Sequence, residues 1–141
     1  MTMQIMDSIS IKRRKYFIYE EPLEQHLSDH DLHGMFIPPH TACWRGYIAT
    51  WKLKYNKLYL IGLKGFDGTD SEHPKLSLQD LFPGQTEIFA DWFTGNFQYI
   101  SCKSDELYVP FSPNWIHITF NKGVLINSKN VSKLSEYIKN Y

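Results

Sequence analysis

Polar and apolar residues alternate most regularly between Cys43 and Lys54, where Cys43, Tyr47, Ala49, Trp51 and Leu53 fall on one side and Lys52 and Lys54 on the other. A period of two over this length predicts a strand with one buried face, and Arg45 interrupts that face. Asn56 tolerates the left-handed backbone of a tight loop, so Leu58 to Leu63 is expected to return as the antiparallel partner. A second hairpin is expected from Trp115 to Phe120 and Val124 to Ile126, joined through Asn121, Lys122 and Gly123. Between them, the aromatic-rich run Ile88 to Phe93 predicts another strand, returning through Phe97 to Ser101 after a turn at Thr94, Gly95 and Asn96.

Helical spacing is confined to three places. Pro22, Leu23 and Leu27 suit a short helix within Glu20 to His33, with Gly34 placed to close it. Pro38 and Pro39 then force extended chain. Ser77 is expected to cap a short turn of helix reaching Leu81. Val131, Leu134, Tyr137 and Ile138 form a stripe that predicts a terminal helix over Ser128 to Tyr141, laid across the sheet. Gly65 to Pro74, with Gly65, Asp67, Gly68, Asp70 and Ser71, has the composition of a loop. Together these elements predict one α+β domain spanning residues 1–141, built on a curved or partly closed antiparallel sheet of hairpins, with a short N-terminal helix and a C-terminal helix packed on it. Gly62 and Gly65 are followed by turn-like chain, so no phosphate-binding glycine loop or doubly wound fold is indicated.

A chain of 141 residues can bury one core without disulfides or metals. Cys43 and Cys102 lack metal or redox spacing and read as reduced, buried thiols. Lys and Arg total 15, as do Asp and Glu, so the formal charge is zero and no long-range field favours nucleic acid or anionic membrane. The basic run Lys12 to Lys15 beside Tyr16 and Phe17 is read as a solvated strand edge. The segment Met1 to Ile11 lacks a signal-peptide core, and no apolar run approaches the ~20 residues of a membrane span. A cytoplasmic protein with no membrane contact is expected.

The candidate chemistry is sparse. His26, His30 and His33 would share one arc of a helix and supply two or three imidazoles to zinc, with Asp29 or Asp31 as a further donor. The competing interpretations are a solvated helix flank with no metal, or a pH-sensitive helix whose histidines lower one another's pKa. Asp91 sits in an apolar run and needs a donor, and Arg45 is its expected partner. A structural ion pair accounts for both residues. The functional alternative makes Arg45 an anion clamp, Asp91 a general base and His117 a proton carrier. No Ser or Cys has an evident base, so covalent catalysis lacks support. Trp44, Tyr47, Trp51, Tyr59, Trp92 and Trp115 are divided between core and recognition surface.

The runs Cys43 to Trp51, Lys57 to Leu60, Leu81 to Pro83 and Phe89 to Gly95 resemble blocks of a group of small, uncharacterised bacterial proteins, over roughly residues 40 to 126. The resemblance implies a single bacterial domain and supplies no activity. Arg45 and Asp91 lie inside its two most distinctive blocks, whereas the three histidines and the basic run lie outside.

Two functions are therefore expected to compete. One is a non-enzymatic protein-binding module without a cofactor, of the toxin-neutralising or defence kind, with an aromatic interface and a possible homodimer. The other is a small ligand-binding domain or enzyme acting on a phosphorylated or nucleotide-like compound through Arg45 and Asp91.

Overall fold

The computed structural model describes residues 4–11, 13–97, 100–101 and 117–129, and these form a mostly-sheet, mixed and nearly closed barrel-like structure with two α-helices. Its strands are β1 (Asp7–Ile11), β2 (Arg14–Ile18), β3 (Tyr47–Lys54), β4 (Lys57–Gly65), β5 (Ile88–Phe89), β6 (Gly95–Phe97), β7 (Ile100–Ser101), β8 (His117–Asn121) and β9 (Val124–Lys129). Helix α1 spans Leu23–Asp29 and α2 spans Leu78–Leu81. The sheet order is β6-β8-β9-β4-β3-β1-β2-β7, with β5 paired to β4 off this path. Its two ends are β6 and β7, and Phe97 precedes Ile100 by only three residues. Three residues reach at most about 11 Å, so the sheet must curl until its edges approach. Among the described residues no helix is long and apolar enough to cross a membrane.

The long hairpin forms as its sequence pattern requires. Tyr47, Ala49, Trp51 and Leu53 are all buried along β3, and Leu58, Leu60 and Leu63 face them from β4. A bulge between Thr50 and Trp51 keeps both strands in phase with the core. Tyr55 and Asn56 have φ of 52° and 60°, the paired positive values of a two-residue hairpin turn whose twist suits the strands. Lys122 and Gly123 repeat this arrangement between β8 and β9, at φ 49° and 81°. The two turns dock: the Leu58 amide donates to the Gly123 carbonyl at 2.8 Å, and the Leu125 amide donates to that of Asn56 at 2.7 Å. Gly123 lies so close to the Ala90 carbonyl that a Cβ could not be accommodated.

Four features depart from the sequence pattern. The β1–β3 pair is parallel, joining Ser8 to Thr50 and Ile11 to Leu53, so the sheet is mixed rather than antiparallel. Strand β1 is not among the expected elements, although Ile9 and Ile11 alternate with Ser8 and Ser10, and the basic run beside Tyr16 and Phe17 enters β2, where Tyr16 and Ile18 are buried. The run Ile88 to Phe93 makes only a two-residue strand before turning, and Gly95 and Asn96 enter β6 instead of a turn. Helix α1 ends at Asp29, short of His33. Asp31 takes the left-handed conformation at φ 55°, while the Leu32 amide returns to Leu27 at 2.9 Å and that of Asp31 to Ser28 at 3.4 Å. This double return closes the helix and packs Leu32 toward buried Leu27.

The C-terminal expectation is corrected at its start, because Ser128 and Lys129 continue β9 rather than open a helix. The remainder of that helix, with Trp115 and Cys102, lies outside the described residues. The core joins α1, through Leu23 and Leu27, to the inner faces of β1 to β4, and continues to Phe97, Ile118 and Phe120.

Candidate functional site

Asp7 opens β1 on the same side as Ile9 and Ile11, so strand alternation drives a carboxylate into the core. It is fully buried, and burial pushes its pKa up. Three donors work against that penalty. Arg45 Nη2 donates to Oδ1 at 2.6 Å, the Ala49 amide donates to the same oxygen at 3.0 Å, and Trp51 Nε1 donates to Oδ2 at 3.1 Å. All three partners are donors, which is the environment of an ionised carboxylate.

Arg45 reaches Asp7 from a turn rather than from the strand face. Gly46 follows it at φ 78°, and a Cβ there would lie 2.9 Å from the Ile37 nitrogen, so the chain can make this bend only with glycine. The Arg45 side chain is 6% exposed. Nη1 donates to the Ile5 carbonyl at 2.8 Å, and Nε lies 3.1 Å from Glu21 Oε2 in an ion pair too bent for a hydrogen bond. Burial opposes the guanidinium charge, and the Asp7 and Glu21 carboxylates outweigh it and hold the pKa above its ordinary value. Burial likewise raises Glu21 and the buried Cys43 thiol, which donates to the Tyr47 carbonyl at 3.6 Å. The Tyr47 hydroxyl, its pKa also raised by burial, has no hydrogen-bond partner among the described residues.

The guanidinium is therefore engaged from within, by Asp7, Glu21 and the Ile5 carbonyl. Asp91, its expected partner, is exposed in the turn after β5, because β5 ends before reaching it. Arg45 pairs with Asp7 and Glu21 instead. His117 opens β8, paired by its backbone to Lys129. Neither Asp91 nor His117 is shown beside Arg45. Asp7 and Glu21 are not among the residues expected at this site, although the inward parity of Asp7 with Ile9 and Ile11 carries the signal.

The histidines separate. His26 packs against His30 at 4.5 Å between ring centroids, Trp92 at 4.7 Å and Phe82 at 4.9 Å. Burial first, then His30, lowers the His26 pKa, while Asp29 and Asp91 act in the opposite direction. His33 turns away to Glu24, 2.7 Å from its carboxylate, because the helix has already ended. Among the described residues no group of three or more His, Cys, Asp or Glu is arranged to hold a metal.

The aromatic set divides as well. Tyr47 and Trp51 are core. Trp92 is half-buried, donating its indole N–H to the Pro22 carbonyl at 2.9 Å, and Tyr59 is half-buried against Phe89. Trp44 is 68% exposed, and its backbone is fixed by an amide donation to Gln4 Oε1 at 2.7 Å. Ile5 donates to the Ala42 carbonyl beside it, and Ile37 approaches Gly46. Tyr19 lies between Ile18, which registers with Asp7, and Glu21, which meets Arg45. Ile5, Tyr19, Ile37 and Trp44 are all exposed, Ile5 bonding Arg45 through its carbonyl and Trp44 preceding it in the chain.

No protein-family model matches this chain, and no curated protein or solved structure matches it either.

Proposed function

We propose that this protein is a non-enzymatic protein-binding module whose partner seats on the end of the sheet that presents Trp44. The observation that carries this reading is an exposed indole on a loop pinned by a buried, ion-paired guanidinium. A large side chain carried on a backbone that is fixed before binding spares the loop's ordering cost on association, which is a property of an interface anchor. Ile5, Tyr19 and Ile37 supply an apolar surround. The ligand-binding alternative would require Arg45 to exchange Asp7 and Glu21 for an external anion, leaving a buried carboxylate unpaired. That requirement favours a binding surface over an anion clamp. A toxin or defence component is the class of partner proposed.

Recovery of tagged protein from the native host should yield a stoichiometric protein partner that is lost with Trp44→Ala or Tyr19→Ala. A partner retained equally by both variants, or a chain that remains alone and monomeric at high concentration, would refute the reading.

A further inference from the structure

The zero formal charge conceals an uneven distribution. Strands β3, β4 and β5 contain Lys52, Lys54, Lys57 and Lys64 and no Asp or Glu. The alternation that sends Trp51 and Leu53 inward turns Lys52 and Lys54 outward, and across the pair it turns Tyr59 outward opposite Lys52. Register extends this row over five strands: Lys15, Ser10, Lys52, Tyr59 and Phe89. The neighbouring row is Phe17, Ser8, Thr50 and Gly62. Phe17 on β2 and Tyr59 on β4 are three strand spacings apart, about 14 Å. Ser10, Thr50 and Gly62, each partly exposed, lie in the interval, and Ser8 is buried.

The rings on this face already keep cations close. Lys15 Nζ stands 5.1 Å from the Phe17 ring centroid, Lys54 Nζ 5.9 Å from that of Tyr59, and Lys57 Nζ 5.5 Å from that of Phe89. Tyr59 and Phe89 are 5.9 Å apart. Glu87, paired with Lys54 at 3.0 Å, is the neighbouring carboxylate that a competing anion must displace.

We propose that this outward face of β2, β1, β3, β4 and β5 binds single-stranded nucleic acid. Bases stack on Tyr59, Phe89 and Phe17, and the lysines between them neutralise the phosphates. An acidic peptide would satisfy the ammonium groups while leaving the rings without flat partners, and a duplex would hide the base faces that the rings require. The proposal does not depend on the Trp44 surface. Zero net charge lowers long-range attraction to polyanions, whereas local contacts act within a Debye length of the face.

The test is fluorescence anisotropy with a labelled oligothymidylate of about 12 nucleotides, within the site sizes typical of small barrels. Binding should saturate at low salt and weaken roughly tenfold or more between about 50 and 150 mM salt, as release of three or four counterions requires. Tyr59→Leu with Phe89→Leu keeps apolar bulk and should weaken binding about tenfold or more. Lys52→Glu with Lys57→Glu changes two partly or fully exposed lysines, so it decides the matter if the ring variant fails to fold. Absence of saturable binding, unchanged affinity in the lysine variant or in a folded ring variant, tighter binding of the matching duplex, or equal competition by polyglutamate would each overturn the proposal.

Discussion

Replacing Arg45 by Met should unfold this protein far more readily than its place in a loop suggests. The substitution preserves much of the side-chain length but leaves a fully buried Asp7 carboxylate with, among the described residues, only the Ala49 amide and the Trp51 indole as donors. Breaking one side of a buried ion pair costs about 3–5 kcal/mol, a large share of the ~5–15 kcal/mol that holds a domain together. For a chain of this size that is a fall of roughly 10–20 °C in melting temperature. Asp7→Leu should be at least as damaging, since it also strips the acceptor from two buried N–H groups, at about 1–3 kcal/mol each. The double variant Asp7→Leu with Arg45→Met removes both charges together and should lose less than the sum, by about 2 kcal/mol or more. Glu21 is partly exposed and screened, so Glu21→Gln should cost far less than either. Urea unfolding followed by far-ultraviolet circular dichroism is the appropriate assay, because Trp51 fluorescence changes directly with Asp7. Additivity of the two single variants within about 0.5 kcal/mol, or an Arg45→Met loss below about 1 kcal/mol, would refute the argument that this pair anchors β1 to β3.

Other consequences follow from the same packing. His26 has its pKa lowered from 6.5 in the fold, so the unfolded chain takes up its proton first as pH falls. Stability should therefore drop as pH descends through about 6.5 toward the lower folded value, and His26→Phe should flatten that dependence in urea midpoints measured from about pH 8 to 5. Gly46→Ala should destabilise by about 1 kcal/mol or more, since it combines φ 78° with a close approach to the Ile37 nitrogen, and thermal melting would register it. Changing Tyr55-Asn56 to Asn-Gly fits both positive φ values better and should raise the melting temperature by a few degrees at most, an effect of about 0.5 kcal/mol. Trp44→Ala should leave the melting temperature within the change expected of a surface substitution, about 0.5 kcal/mol, because its indole is largely outside the core.

The elements legible in the sequence were those whose information is local. The β3–β4 hairpin declared itself through a long period-two run and an Asn at a loop needing positive φ, and Ser77 preceded α2 because an N-cap acts within one turn. The parallel pairing of β1 with β3 joins residues about forty apart, and nothing near Ile9 specifies Trp51 as its neighbour. The ion pair failed for the same reason. Arg45 was recognisable as a charge among apolar residues, but proximity in pattern suggested Asp91, whereas the fold delivers Asp7 across the parallel pair. Helix α1 forms within its expected span, but the histidine arc does not: His26, His30 and His33 have helical spacing, yet spacing is silent about the backbone reversal at Asp31 that sends His33 to Glu24. A charged residue inside an apolar pattern therefore marks a place where a partner must exist, while the partner's identity belongs to topology. The same distinction applies to the outward lysines. Their identities were plain in the sequence, but only the register sets Lys15 and Lys52 in one row with Tyr59 and Phe89, and that row makes the face a candidate surface rather than a scatter of charges.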